Sequence, residues 1–454
     1  MRKTQLPAGP PLPSLFQLYR WVKSPTEFFR SCGEQFGSGF TIRLPGLPPF
    51  VFFYRPEEVR WIAKAPKDQA LGGAVNAFLE PIVGQDSLLL LEGTPHASRR
   101  HALMKPLRAE SMSAYRNAIS SITKRVLEKV PEGKPTSGIE ITRNITFEVI
   151  LNVIFGLDSG HLHDLVSHLG QEVMKTLGTP WLLFPMFQRN LGAWSPWGRF
   201  CRQRDRLHAA LSEVIQARRR DRRTLDHERP DILSQLLTAT DEDGHLLSDE
   251  SIRSELITML LAGHETTAHA LSWALLELAK HQDMQERARV SVKSSENSSL
   301  DDASSDFSDD SSDDAYIDAL VRETLRMHPV VAGVGRKLVR PTTIATTELP
   351  AGAVAVASVY LVQHDAAHWS DPYRFRPDRF LKRKPPPYAW IPFGLGGRRC
   401  IGMSLALFEM RVVIESILAE RKILAVEGYE PRTVRSSVAL SASGGAPILL
   451  TRRS

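Results

Sequence analysis

The 454-residue sequence predicts a mostly α-helical fold with minor β structure. Three observations carry this. Helical periodicity dominates from about residue 95 to 329 and returns at about 400–422. Short β-like runs gather at about 36–64, at about 330–380 and near the C-terminus. Neither an internal repeat nor a Rossmann-type glycine fingerprint interrupts the pattern. We read residues 1–454 as one domain.

The elements follow in order. "FTIRLPGLPPFVFFY", Phe40 to Tyr54, reads as two strands around a Pro/Gly turn. "RPEEVRWIAKA" opens a helix with proline and acids in its first turn, where the dipole favours negative charge. "GTPHASRRH" starts another helix at Thr94–Pro95 and sets His96 and Arg100 four residues apart on one face; taken alone, that spacing fits an exposed surface. The longest periodic segment runs from Ser248 to His281. Ser248 suits an N-cap, and Ile252, Leu256 and Leu260 recur every four residues before Leu271, Leu275 and Leu278 resume the stripe.

"AGHETT", Ala262 to Thr267, breaks that helix in the middle. Gly263 costs about 1 kcal/mol against alanine in a helix interior, and it shares a face with Thr266 and Thr267. One reading is a packing glycine with Ser/Thr back-bonding. The other is a helix opened beside a reactive centre, Ala262 and Gly263 leaving room for a ligand while Glu265 and Thr266 relay protons. A polar cluster in a long buried helix needs a reason, which favours the second.

Residues 291–314 carry one Lys, one Glu and seven Asp among many serines, a local net of −7 that leaves +13 on the rest of a chain whose net charge is +6. Such a stretch cannot bury apolar area and reads as a surface insertion. "YIDALVRETLRMHP" follows as one helix ended by Pro329. Glu323 and Arg326 meet there at i, i+3, a pair worth little if exposed. Val331 and Val334 lie in the apolar run "VVAGVG", with Arg336 at its edge. "VAVASVYLVQ" reads as β, "FRPDRF" brings Arg379 into a proline-braced turn, and a final helix begins near Ile401.

Composition bounds the function. Apolar content of 42% and charged content of 24% are those of an ordinary globular protein. The cysteines Cys32, Cys201 and Cys400 form no CxxC pair, which argues against a disulfide framework or a zinc cluster. No run of about 18 apolar residues exists, and prolines break the N-terminus where a signal peptide needs an apolar stretch. A soluble, cytoplasmic protein without a transmembrane anchor is expected. Its basic body could steer an acidic protein, a nucleic acid or an anionic surface, but no nucleic-acid motif is present.

"FGLGGRRCIG", Phe393 to Gly402, is the most specific stretch. Glycines 394, 396, 397 and 402 let amide N–H groups point inward around Cys400 at the start of a helix, an arrangement that holds an anion. Phe393 can cover the sulfur, and Arg398 can reach a carboxylate of a large ligand above it. A single sheltered thiolate fits an axial ligand of haem iron, which favours O–O cleavage; a buried, inert cysteine is the alternative.

This stretch resembles the haem-binding signature of the cytochrome P-450 superfamily, with Phe393, Gly396, Arg398, Cys400 and Gly402 in register. "HASRR", "AGHETT", "ETLR" and "FRPDRF" occur in the family's order across residues 96 to 402. The resemblance implies the P-450 fold: a helical bundle with a long distal helix and small β-sheets. It makes Cys400 the ligand of a haem b iron, and His96, Arg100, Arg336 and Arg398 the propionate contacts. Glu323, Arg326 and Arg379 become a buried structural triad. Glu265 and Thr266 become the acid–threonine pair serving bound O2, and the Ser/Asp-rich segment departs from the family.

The implied function is a monooxygenase of bacterial type, inserting one oxygen atom into an unactivated C–H bond of a fatty acid, terpenoid, steroid or aromatic natural product. Electrons would come from NAD(P)H through a separate ferredoxin or flavodoxin on a basic proximal face that includes Arg399 and "KRK" at 382–384. A haem-thiolate peroxygenase or isomerase would use the same cysteine, and a non-catalytic haem sensor is a binding-protein reading. "ALGGAVNAFLEPIVGQDSLLLL" and "GTPWLLFPMFQ" are expected as further pocket walls, with packed surface loops as the alternative reading of both.

Overall fold

The computed structural model describes residues 6–104, 107, 112–178, 188, 189, 191, 192, 194–221, 231–240, 244–295 and 315–453. Residues 296–314 of the Ser/Asp-rich stretch and 179–187 of the second expected wall lie outside them.

The largest sheet has five strands. Its strands run in the order Phe40–Ile42, Phe50–Phe53, Val354–Ser358, Gly333–Leu338 and Ala70–Leu71. Phe50–Phe53 runs parallel to Val354–Ser358, and Gly333–Leu338 runs antiparallel to it, pairing Arg336 with Ala355. Both faces are covered, so Val354–Ser358 is buried throughout. The expected β-run is shorter than its composition implies. Ser358 accepts a hydrogen bond from the Leu361 N–H and caps a helix, Val359–Gln363. The cap and the tertiary packing outweigh the β-propensity of "VYLVQ".

Helices build the rest. Ser248 accepts from the Ser251 N–H to start Asp249–Met259, with Asp249 and Glu250 in the first turn. The long helix is not continuous α: Leu260–His264 forms a π-turn, and α geometry resumes over Glu265–Lys280. A π-turn inserts one extra residue and shifts the helix face, a feature that recurs at functional sites. Leu256, Leu260, Leu271 and Leu275 are fully buried in the main hydrophobic cluster, with Ile145 and Phe147 of Gly138–Val153 and Val413 and Ile414 of Met403–Glu420. A second cluster joins the N-terminal helices to the sheet through Phe28, Phe29, Phe40 and Phe52. Among the described residues no helix is long and apolar enough to cross a membrane.

Two members of the triad are buried, and Arg379 lies half-buried at its edge. Glu323 and Arg326 have fully buried side chains and share two hydrogen bonds, of 2.7 and 3.0 Å. Arg379 Nε donates to Glu323 Oε1 at 3.0 Å, as does the Arg376 N–H at 2.8 Å. Arg326 also donates to the carbonyls of Gln363 and Pro372, so it ties Ala315–Met327 to the loop that leads toward Cys400.

Candidate active site

The cysteine loop is shaped by its glycines and by contact with Pro56–Lys64. Gly396 has a φ of +58°, and a Cβ there would lie 1.9 Å from the Ala63 carbonyl oxygen, so no side chain fits. Gly396–Arg398 makes one 3-10 turn. The Cys400 N–H then donates to the Phe393 carbonyl at 2.8 Å. Phe393 packs on the main core, edge-on to Trp390 at 6.0 Å.

Cys400 keeps solvent-accessible surface although protein packs densely around it, as in a cleft. Burial therefore pushes its thiol up, against the Gly402 N–H, Arg100 and Arg399, which favour the thiolate. Among the described residues no group of three His, Cys, Asp or Glu could hold a metal. Cys400 would then be the single protein ligand of a haem iron, whose macrocycle would supply the rest.

The basic residues converge on this cleft. His96 is held down at about 4 by burial first, then by Arg398, Arg100, Lys67 and Arg336. Arg336 is nine-tenths buried and pushed down to about 10 by burial and by Arg398. Arg100 donates to the Arg399 carbonyl at 2.6 Å. Arg398 donates to the Leu88 carbonyl at 3.2 Å, to that of Leu91, and pairs with Glu92 at 2.5 Å. Several cationic groups around one carboxylate leave positive charge uncompensated, which fits a ligand carrying two carboxylates. Lys67 and Glu92 were not signalled by the sequence, since both act through chain-distant contacts.

The π-turn leaves accessible positions in the long helix. Ala262 is exposed and Thr266 half-buried in the middle of a helix whose other residues are nearly all buried. Thr266 Oγ1 donates to the Ala262 carbonyl at 2.6 Å, as the back-bonding reading expects. The space beside Gly263 is taken on one side by Ile150, whose Cδ1 would sit 3.1 Å from a Cβ there. Val331 is exposed, whereas Val334 packs near Gly394 of the cysteine loop.

Glu265 does not face Thr266. It is buried, with Arg143 at 3.0 Å and His269 Nε2 at 3.1 Å on Oε2. Burial raises its affinity for a proton, but the His269 hydrogen bond and the Arg143 charge outweigh that and hold it down at about 2. Arg143 and His269 are the site residues that sequence reasoning missed. The i, i+4 spacing of Glu265 and His269 was the available signal.

Nearly the whole chain, residues 6–444, matches the family model of Cytochrome P450. The putative cytochrome P450 135B1 of Mycobacterium bovis is 32% identical over 432 residues, 94% of this chain and 88% of that protein. The putative cytochrome P450 135A1 of Mycobacterium tuberculosis is 31% identical over 424 residues, 93% and 90% of the two chains. The fold is that of a retinoic acid-bound cyanobacterial CYP120A1, with a TM-score of 0.82 at 23% identity over 99% of this chain and 100% of that one. A cytochrome P450DA haem domain gives 0.79 at 20% identity, over 100% and 98%. The chain belongs to the cytochrome P450 family: it is a haem-dependent monooxygenase, an oxidoreductase with iron. The residues of the cleft fit that group.

Proposed function

We propose that Cys400 supplies the axial thiolate of a haem b and that the enzyme oxidises a lipophilic small molecule drawn from the acids, terpenoids, steroids and aromatic products considered above. The observation that supports this reading is an accessible Cys400 with Arg100 near it, and Arg100, Arg336 and Arg398 grouped around His96. Bound haem would supply activation of O2 and insertion of one oxygen atom into a C–H bond. The protein's part is to orient the four basic groups toward carboxylates, to shelter the sulfur with Phe393 and to present an apolar wall at Ala262, Val331 and Val334.

Thr266 Oγ1 is the hydroxyl on the cleft face of the helix and serves as the local proton donor once it leaves the Ala262 carbonyl. Glu265, held ionised by Arg143 and His269, receives and passes a proton only when the Arg143 contact opens; Arg143 is one-third exposed, which gives solvent a path. Electrons come from NAD(P)H through a separate ferredoxin or flavodoxin that docks on the basic face.

Thr266→Ala tests the relay. With a surrogate ferredoxin system and a saturated fatty-acid series, the variant should keep its haem and its reduced carbon monoxide spectrum. NAD(P)H consumption should then yield hydrogen peroxide in place of product, with coupling lowered about tenfold. Unchanged coupling would remove Thr266 from the mechanism.

A further inference from the structure

Arg435 lies outside the machinery described so far. It sits on Thr433–Ser436, the first strand of a hairpin completed by Ala439–Ala442, and pairs across it with Leu440. Its guanidinium lies 4.9 Å above the ring of Trp21. Nη1 reaches the Val438 carbonyl at a long 3.4 Å, while Nε and Nη2 are buried and accepted by no group among the described residues. No carboxylate there lies near enough to lower its cost, so burial alone acts on it and pushes it down to about 10. Arg435 as a whole is half-buried, with only Nε and Nη2 sealed from solvent, whereas the fully buried Arg326 is held by Glu323 and the buried Arg218 pairs with Asp231 at 2.6 Å. An unpaired buried cation is among the most expensive groups a core can hold.

Its position relates it to the cleft. The Leu440 N–H donates to the Val330 carbonyl at 2.7 Å, next to the exposed Val331. Val334, four residues further on, approaches Gly394 of the cysteine loop. That stretch spans at most about 14 Å. Trp21 belongs to the hydrophobic cluster that includes Ala332 and Val75, and Val75 packs on Gly335. These apolar side chains form a wall that leads from Trp21 to the strand beside the cysteine loop.

We propose that Arg435 is a specificity-determining residue that binds the carboxylate of a lipophilic acid, whose apolar body extends along this wall toward Ala262 and Thr266. Nε and Nη2 offer the side-on pair of N–H groups that a carboxylate accepts in bidentate fashion. Held there, the substrate is oxidised at a carbon remote from its carboxylate. This names the substrate class of the proposed monooxygenase and rests on that reading.

The test uses the haem-loaded full chain, hexadecanoic acid, its methyl ester, and the variants Arg435→Met and Arg435→Lys. Binding is read by the ligand-induced change in the haem absorption band, and stability by thermal unfolding with and without ligand. The wild type should bind the acid at least tenfold more tightly than the ester, and only the acid should raise its Tm. Arg435→Met should erase both differences while its own ligand-free Tm is equal to or above the wild type's, since it removes an unpaired charge. Arg435→Lys should keep part of the preference. A wild type that does not prefer the acid, or an Arg435→Met variant that keeps the preference, overturns the proposal. A lowered Tm for Arg435→Met with no acid preference in the wild type assigns the residue to packing on Trp21. The reduced carbon monoxide spectrum is recorded on each sample: a missing thiolate signature in the wild type refutes the haem-thiolate reading itself, whereas an intact one confines failure to the anchor.

Discussion

Glu409, on Met403–Glu420, is buried with Oε1 unpartnered among the described residues, and burial alone pushes its carboxyl up to about 8. The folded state therefore binds its proton more tightly than the unfolded chain does. The stability it contributes is full below about pH 4.5 and is lost as pH rises through about 8. Glu409→Gln, which cannot ionise, should match the wild type in Tm near pH 5 and exceed it at pH 8; equal Tm differences at both pH values would show that Glu409 is not held neutral. Neither this residue nor the place of Arg143 beside Glu265 could be located from sequence, because burial and contacts at long chain separation decide them. Arg398 is 306 positions from Glu92. Cys400 was legible because its glycines, arginines and cap lie within ten residues, so local chemistry names them together.

Among elements, the triad fastens Ala315–Met327 to the loop before the cysteine. Glu323→Ala strands Arg326 and Arg379 without their acceptor, and should cost about 3–5 kcal/mol in urea unfolding. The exposed Arg125–Glu148 pair at 3.1 Å is the control, and Arg125→Ala should cost no more than about 1 kcal/mol. Equal costs would mean that the triad is not a fastening. Spacing alone left Glu323 and Arg326 as a surface pair; the motif order made them structural, and their burial agrees. The π-turn at Leu260–His264 was legible only as a polar interruption, because leucines at four-residue spacing continue on both sides and conceal the extra residue. The turn of helix at Val359–Gln363 was concealed by β-branched residues.

For the whole molecule, the sequence pattern fixed the class: helices between two β-rich regions, with five motifs in order, match a family whose model covers residues 6–444. Substrate could not be read in the same way, because it depends on which side chains line the cleft. The charge distribution adds an expectation about the donor. Lys382 and Arg383 are exposed, and with Arg399 they make the proposed docking face basic. Reduction by an acidic ferredoxin should slow steeply with added salt, and Lys382→Glu with Arg383→Glu should slow it further at low salt; a flat salt profile would contradict that face. The account turns on the sulfur of Cys400. The most direct measurement is the carbon monoxide difference spectrum of the dithionite-reduced protein beside Cys400→Ala. The account predicts a strongly red-shifted Soret band that the variant lacks. A band at the shorter wavelength of imidazole-ligated haem, in freshly purified folded protein, would contradict it.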